Sequence, residues 1–189
     1  MFNRLIFVFL LAGSGLVSAS ENTQATAILN HRWAEPIDKS IIQNGYKLND
    51  LIYRSGQPNH ESFKKLYGIG IRKTLNLRLF HNDYGEIAGL PIEEIHVPMF
   101  LLNIKKAELI QTAKILAETK EPILVHCKDG SNRTGLVIAA YRILVEGWSA
   151  NEAEEEMKKG GYGYLYIWGD FSSLLHFLDT PETRKMFRQ

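Results

Sequence analysis

One cysteine stands in 189 residues. That count excludes an intramolecular disulfide framework and a multi-thiolate zinc site. An excess of one charge is also missing: 22 Lys and Arg face 21 Asp and Glu, for a net charge of +1. The balance argues against a nucleic-acid binder held by a global basic field. Internal repeats and low-complexity segments are absent. Beyond the apolar run at residues 5–12, no stretch approaches membrane-spanning length. What is present suits a folded domain. Hydrophobic residues make up 45% and charged residues 23%, enough for a packed core at one-domain length. The single cysteine, Cys127, then needs its own explanation.

Met1 to Ala19 reads as a secretory signal peptide. Arg4 supplies the positive region, Leu5 to Ala12 the apolar stretch, and Val17-Ser18-Ala19 the small-residue cleavage pattern. An uncleaved N-terminal anchor is the alternative. The expected mature chain starts near Ser20 and is periplasmic or secreted. In an oxidising compartment a lone cysteine is either buried and inert or kept reactive. Residues 20–44 read as an irregular N-terminal arm, and residues 45–189 as one domain.

Within that domain the pattern alternates strands and helices. Leu48 to Arg54 suggests one or two strands. Asn59 is placed to cap a helix over His60 to Tyr67, stopped at Gly68 to Gly70. Ile71 to Leu77 and Ile92 to Val97 alternate as strands. Lys105 to Thr119 has helical spacing. Pro122 to His126 is apolar until its end, the pattern of a central buried strand. Gly135 to Val145 reads as a buried helix. Ser149 with Glu152 forms a capping box for a helix ending at Gly160, and Phe171 to Leu178 forms a last helix. The fold class is α/β, a sheet with helices packed on it.

The stretch His126-Cys127-Lys128-Asp129-Gly130-Ser131-Asn132-Arg133-Thr134-Gly135 carries the chemistry. It joins a buried strand to a helix expected to start after Arg133. Backbone N–H groups in such a loop converge on an anion, and the helix N-terminus adds partial positive charge. The same field favours a thiolate. Arg133 offers a planar fork matched to two phosphate oxygens. Thr134 is placed to donate its hydroxyl to the cysteine sulfur. A buried structural cysteine in a strand–turn–helix corner is the bland alternative.

These residues resemble the signature of the cysteine-dependent phosphatases: His-Cys, five residues, Arg, then Ser or Thr. Ile52 to Pro58 (IYRSGQP), Tyr141-Arg142, Glu146-Gly147-Trp148 and Ala153 to Gly161 are similar to segments of small dual-specificity phosphatases. The resemblance covers roughly residues 45 to 165. With the leader, it points to the exported dual-specificity tyrosine phosphatases of Gram-negative bacteria. It implies a central mixed sheet flanked by helices, with the phosphate-binding loop between a buried strand and a central helix. It implies no metal and no cofactor. It also implies a phosphocysteine on Cys127, with Lys128, Asp129, Gly130, Ser131, Asn132 and Arg133 forming the phosphate-binding loop. The implied partner is a phosphoprotein, preferentially on phosphotyrosine; the expected localisation, and not the resemblance, suggests the periplasmic part of a membrane signalling protein as one target.

The family's general acid is an aspartate on the loop after the strand preceding the signature strand. Here that loop, Pro98 to Lys106, has no carboxylate, and a residue near Leu102 occupies the expected place. Three replacements are open. Asp129 lies in the signature loop, where it either transfers a proton or folds the loop through backbone N–H groups. Asp83 or Glu86 swings in from the His81–Leu90 loop, or stays solvated there. With no acid at all, aryl or otherwise activated phosphates are preferred, because a phenol leaves readily.

Other features have two readings each. Met99 to Leu102 packs on the core or forms a hydrophobic rim. Tyr162, Tyr164, Tyr166 and Trp168 form a partly buried strand or core edge, or line a substrate groove. His126 is expected to brace the loop from a buried position. Lys128 adds positive potential at the mouth or is only solvated. The remaining histidines, 31, 60, 81, 96 and 176, show no metal-ligand spacing. Glu152 to Glu156 reads as an exposed helix face. Competing functions are an inositol-polyphosphate-type phosphatase, a rhodanese-type sulfurtransferase and a phosphate-binding module with little turnover.

Overall fold

The run Ile123-Leu-Val-His126 carries no polar side chain before its last residue, and it forms the middle of the sheet. The computed structural model describes residues 33–189. The expected signal peptide and residues 20–32 of the expected arm lie outside them. The strands are β1 (Glu35–Pro36), β2 (Tyr46–Lys47), β3 (Ile52–Ser55), β4 (Lys73–Asn76), β5 (Glu93–His96) and β6 (Ile123–His126). Their order is β1-β2-β3-β6-β4-β5. The pairs β3–β6, β6–β4 and β4–β5 are parallel, and β1–β2 and β2–β3 are antiparallel. The sheet is therefore mixed. Residues 33–44, expected in the arm, carry β1 and bury Ala34 and Ile42.

Side chains alternate across a strand, and β6 uses both faces. Ile123, Val125 and the following Cys127 join one core cluster, while Leu124 joins the other. The first cluster is covered by α2 (Lys106–Glu118), α3 (Asn132–Leu144), α4 (Ala150–Lys159) and α5 (Ser172–Leu178). The second is covered by α1 (His60–Gly68) through Phe63 and Leu66. Full burial of each such side chain stabilises the fold by roughly 1.5–3 kcal/mol. Among the described residues no helix is long and apolar enough to cross a membrane.

The caps follow the sequence signals. Asn59 accepts from the Ser62 N–H at 2.8 Å and starts α1. Ser149 and Glu152 bond reciprocally and start α4. A final helix, α6 (Pro181–Phe187), starts at Thr180, whose hydroxyl accepts from the Thr183 N–H, with Pro181 in the first turn.

Glu156 departs from the expected exposed face of α4. It is buried and receives a two-pronged ion pair from Arg142, Nε to Oε2 at 2.8 Å and Nη2 to Oε1 at 2.9 Å. Burial works against the Arg142 charge, but Glu156 and Glu146 outweigh it, so its pKa is raised. Glu156 also accepts from the Ala34 N–H and the Tyr162 hydroxyl. The reason is position: α4 packs against α3, so the residue seven positions after the Ser149 cap turns inward rather than to solvent.

Candidate active site

Cys127 follows the last residue of β6 and is only 3% exposed. Three successive carbonyls after it are held from outside the loop. Lys128 O accepts from Gln57 N at 3.0 Å. Asp129 O accepts from Asn44 Nδ2 at 2.7 Å, and Gly130 O from Arg54 Nη2 at 2.8 Å. In a trans peptide the C=O and the following N–H point in opposite directions. The N–H groups of Asp129, Gly130 and Ser131 are thus turned to the inner side of the loop. Among the described residues none of the three donates a hydrogen bond. They form a set of unused donors, which is what an anion cradle requires.

Gly130 makes that path possible. Its φ is +74°, and a Cβ there would lie 2.4 Å from the Ser55 carbonyl carbon. Backbone cannot yield as a flexible side chain can. We expect Gly130→Ala to displace the loop and lower kcat/KM by about 10²-fold or more. Steady-state kinetics beside a thermal melt checks this. Wild-type kinetics in a folded variant would contradict it.

The helix begins at Asn132, earlier than its expected start after Arg133. The loop's last residues are already its first turn, closed by Gly135 N donating to Ser131 O. Arg133 consequently leaves from the helix N-terminus, beside Cys127 in the same cavity, with Nη1 on Leu77 O at 3.3 Å. The Thr134 hydroxyl is buried and has no hydrogen-bond partner among the described residues. Its expected bond to sulfur is not made.

Behind the loop, His126 is fully buried, as expected of a bracing residue. Its Nε2 lies 2.7 Å from Asp83 Oδ2, and its Nδ1 lies 3.3 Å from Cys127 O. Asp83 also accepts from Gln57 and Asn76. At 0% exposure, and absent from the cavity lining, it neither swings in as an acid nor sits solvated. Both expectations for Asp83 are corrected. Burial works to raise its pKa, but the hydrogen bond and charge of His126, with Gln57, win, and the pKa is lowered. A lowered carboxylate pKa stabilises the fold above the unfolded value of about pH 4. That contribution is lost as pH falls through the lower, folded value. We expect Asp83→Ala to cost about 3 kcal/mol near neutral pH, because it strands several buried donors. Melts from neutral to acid pH should show the gap to wild type narrowing. A gap independent of pH would contradict the assignment.

Glu86 pairs with His81 at 3.0 Å and does not line the cavity either. Ligand atoms of His81, Asp83 and Glu86 lie within 4.8 Å of one another. The expectation of no metal-ligand spacing misses this cluster, although the Asp83 oxygens already serve as acceptors for His126, Gln57 and Asn76.

Above Cys127 and Arg133 opens a cavity of about 370 Å³. Its walls are Leu79, Phe80, Met99, Phe100, Leu101, Leu102 and Trp168, and its polar edge is Lys128, Asp129, Ser131 and Asn132. The expected core packing of Met99 to Leu102 holds for Met99, which is buried, and in part for Leu101, which packs against the first core cluster. Phe100 is 51% and Leu102 64% exposed, on either side of Leu101 in a short 3₁₀ turn, and they make the rim. The aromatic run is not a strand. Tyr162 is buried, Tyr166 to Trp168 form another 3₁₀ turn, and Trp168 reaches the cavity. Asn132 holds this segment by exchanging two hydrogen bonds with the Leu165 backbone.

Asp129 is the one carboxylate among the residues lining this cavity. Its side chain is exposed and makes no hydrogen bond among the described residues; only its backbone oxygen is held. The loop-folding reading of its carboxylate is therefore not what the structure shows.

Sequence profiles and relatives agree with this geometry. The profile of the tyrosine phosphatase family matches residues 42–159. The dual specificity protein phosphatase TpbA of Pseudomonas aeruginosa is 32% identical over 85% of this chain and 73% of its own. Its crystal structure superposes with a TM-score of 0.75 over 84% of this chain and 98% of that one, at 32% identity. The inositol diphosphatase DSP3 of Arabidopsis thaliana is 30% identical over 67% of this chain and 63% of its own. A mixed sheet flanked by helices, a His-Cys loop entering a buried helix and these relatives lead to one assignment: the chain belongs to the tyrosine phosphatase family, a family of hydrolases.

Proposed function

We propose that the chain hydrolyses phosphate monoesters on tyrosine through a phosphocysteine on Cys127. One observation carries this reading: three unused N–H groups turn inward on a loop that holds Cys127 and Arg133 in one cavity. Cys127 sulfur attacks phosphorus, an S–P bond forms and the P–O bond to the leaving oxygen breaks. The amides and Arg133 hold the non-bridging oxygens as charge redistributes. Asp129 protonates the leaving oxygen, then takes a proton from the water that cleaves the S–P bond. The wall of Phe80, Phe100, Leu102 and Trp168 suits an aromatic leaving group.

A second reading has support among the relatives, since DSP3 is named an inositol diphosphatase. Such a substrate needs many cations. The cavity offers Lys128 and Arg133, and Asp129 offsets one of them. Phosphate release from a phosphotyrosine peptide, a phosphoserine peptide and an inositol polyphosphate separates the cases. The proposal expects the highest kcat/KM for phosphotyrosine. A preference for the inositol polyphosphate would favour the second reading. Phosphopeptide binding without release would favour a binding module.

We also propose that the chain acts after export to the periplasm, supported by Arg4, the apolar run at residues 5–12 and Val17-Ser18-Ala19. An exposed domain of a membrane signalling protein then becomes an accessible substrate. Fractionation of cells expressing the full chain tests this, and retention in the cytoplasm would refute it.

A further inference from the structure

Arg54 lies on β3 directly beneath the loop and is 1% exposed. Among the described residues no carboxylate forms an ion pair with it. Its Nη2 donates to Gly130 O at 2.8 Å, and its guanidinium lies 3.7 Å over the Tyr162 ring. Its Nε is buried without a hydrogen-bond partner among the described residues. Glu156, the carboxylate linked to it through Tyr162, is already held by Arg142. A buried cation left without a carboxylate is costly, and arginine does not escape the cost by losing its proton. Burial lowers its pKa, opposed by attraction to Tyr162, Glu156 and Cys127. The negative charges best placed to balance Arg54 are therefore the thiolate that Cys127 carries before it attacks and the phosphate that the loop binds.

We propose that Arg54 is a positioning residue of the reaction, whose buried charge favours the Cys127 thiolate and whose Nη2 fixes the Gly130 peptide so that Ser131 N–H faces the phosphate. This rests on the phosphatase reading. Among the described residues the other charged or titratable groups around Cys127 are Arg133 from α3, Lys128 and Asp129 from the loop, and His126 from β6 with Asp83 behind it. The segments that carry Leu79, Phe80 and Met99 to Leu102 bring no titratable group to the cavity.

Cys127 is the only cysteine, so alkylation by iodoacetamide reports on it alone. The alkylation rate of the full chain is followed against pH in wild type, Arg54→Lys and Arg54→Gln. Glutamine keeps a donor for Gly130 O but carries no charge, whereas lysine keeps the charge. The pH of half-maximal alkylation should rise by roughly one unit in Arg54→Gln and stay near wild type in Arg54→Lys. The acid limb of kcat/KM should move with it. Arg54→Met replaces the glutamine variant if that fails to fold. A folded neutral variant with the wild-type alkylation profile would overturn the proposal. Alkylation needs no turnover, so a wild type that releases no phosphate would sink the phosphatase reading and leave this measurement intact.

Discussion

Cys127→Ser should lower phosphate release by more than about 10⁴-fold while phosphotyrosine peptide still binds. The two effects separate because they rest on different atoms. In the proposed mechanism binding uses the inward N–H groups of Asp129, Gly130 and Ser131, together with Arg133. Their orientation depends on Gln57, Asn44 and Arg54, which the substitution does not touch. Turnover needs a sulfur anion, and a serine hydroxyl in the same place stays protonated. Release by the serine variant within tenfold of wild type would remove Cys127 from the mechanism. Loss of binding together with release would instead mean that the loop had collapsed.

Asp129→Asn should lower kcat by about 10²–10⁴-fold on a phosphoserine or simple alkyl phosphate. On para-nitrophenyl phosphate the loss should be much smaller, because that leaving group departs without a proton. The substitution leaves the loop intact on structural grounds: Asn44 holds the backbone oxygen of residue 129, and among the described residues the carboxylate makes no hydrogen bond of its own. The contrast between the two substrates is the diagnostic. Equal losses on both would point to a damaged loop. No loss on either would mean that the reaction runs without an acid, and the aromatic wall would then be the main source of substrate preference.

The parts of this structure that were legible in the sequence are local ones. The apolar run before His126, the capping signals at Asn59 and Ser149, and the spacing from Cys127 to Arg133 each act within a few residues. They place the strand, the helices and the loop. What was not legible depends on chain segments brought together over long separations. Asp83 reaches His126 across 43 positions, and Arg54 reaches Gly130 across 76. Composition and spacing treat Asp83 as one more loop carboxylate, and Glu156 as one more charge in an acidic helix. Both are buried because a cation or a donor from another element meets them. Trp168 belongs to the same class: Asn132 ties its segment to the loop from 33 positions away. The missed helix α6 is different. Thr180 followed by Pro181 is a local start signal that was present in the sequence.

In the proposed mechanism phosphorus becomes covalently bonded to Cys127. The most direct test is a rapid denaturing quench of the wild-type chain mixed with phosphotyrosine peptide, followed by mass spectrometry of the fragment that contains Cys127. The mechanism predicts one phosphoryl group on Cys127 during turnover and none in Cys127→Ser. Sustained phosphate release with no phosphoryl group on that fragment at any quench time would contradict it.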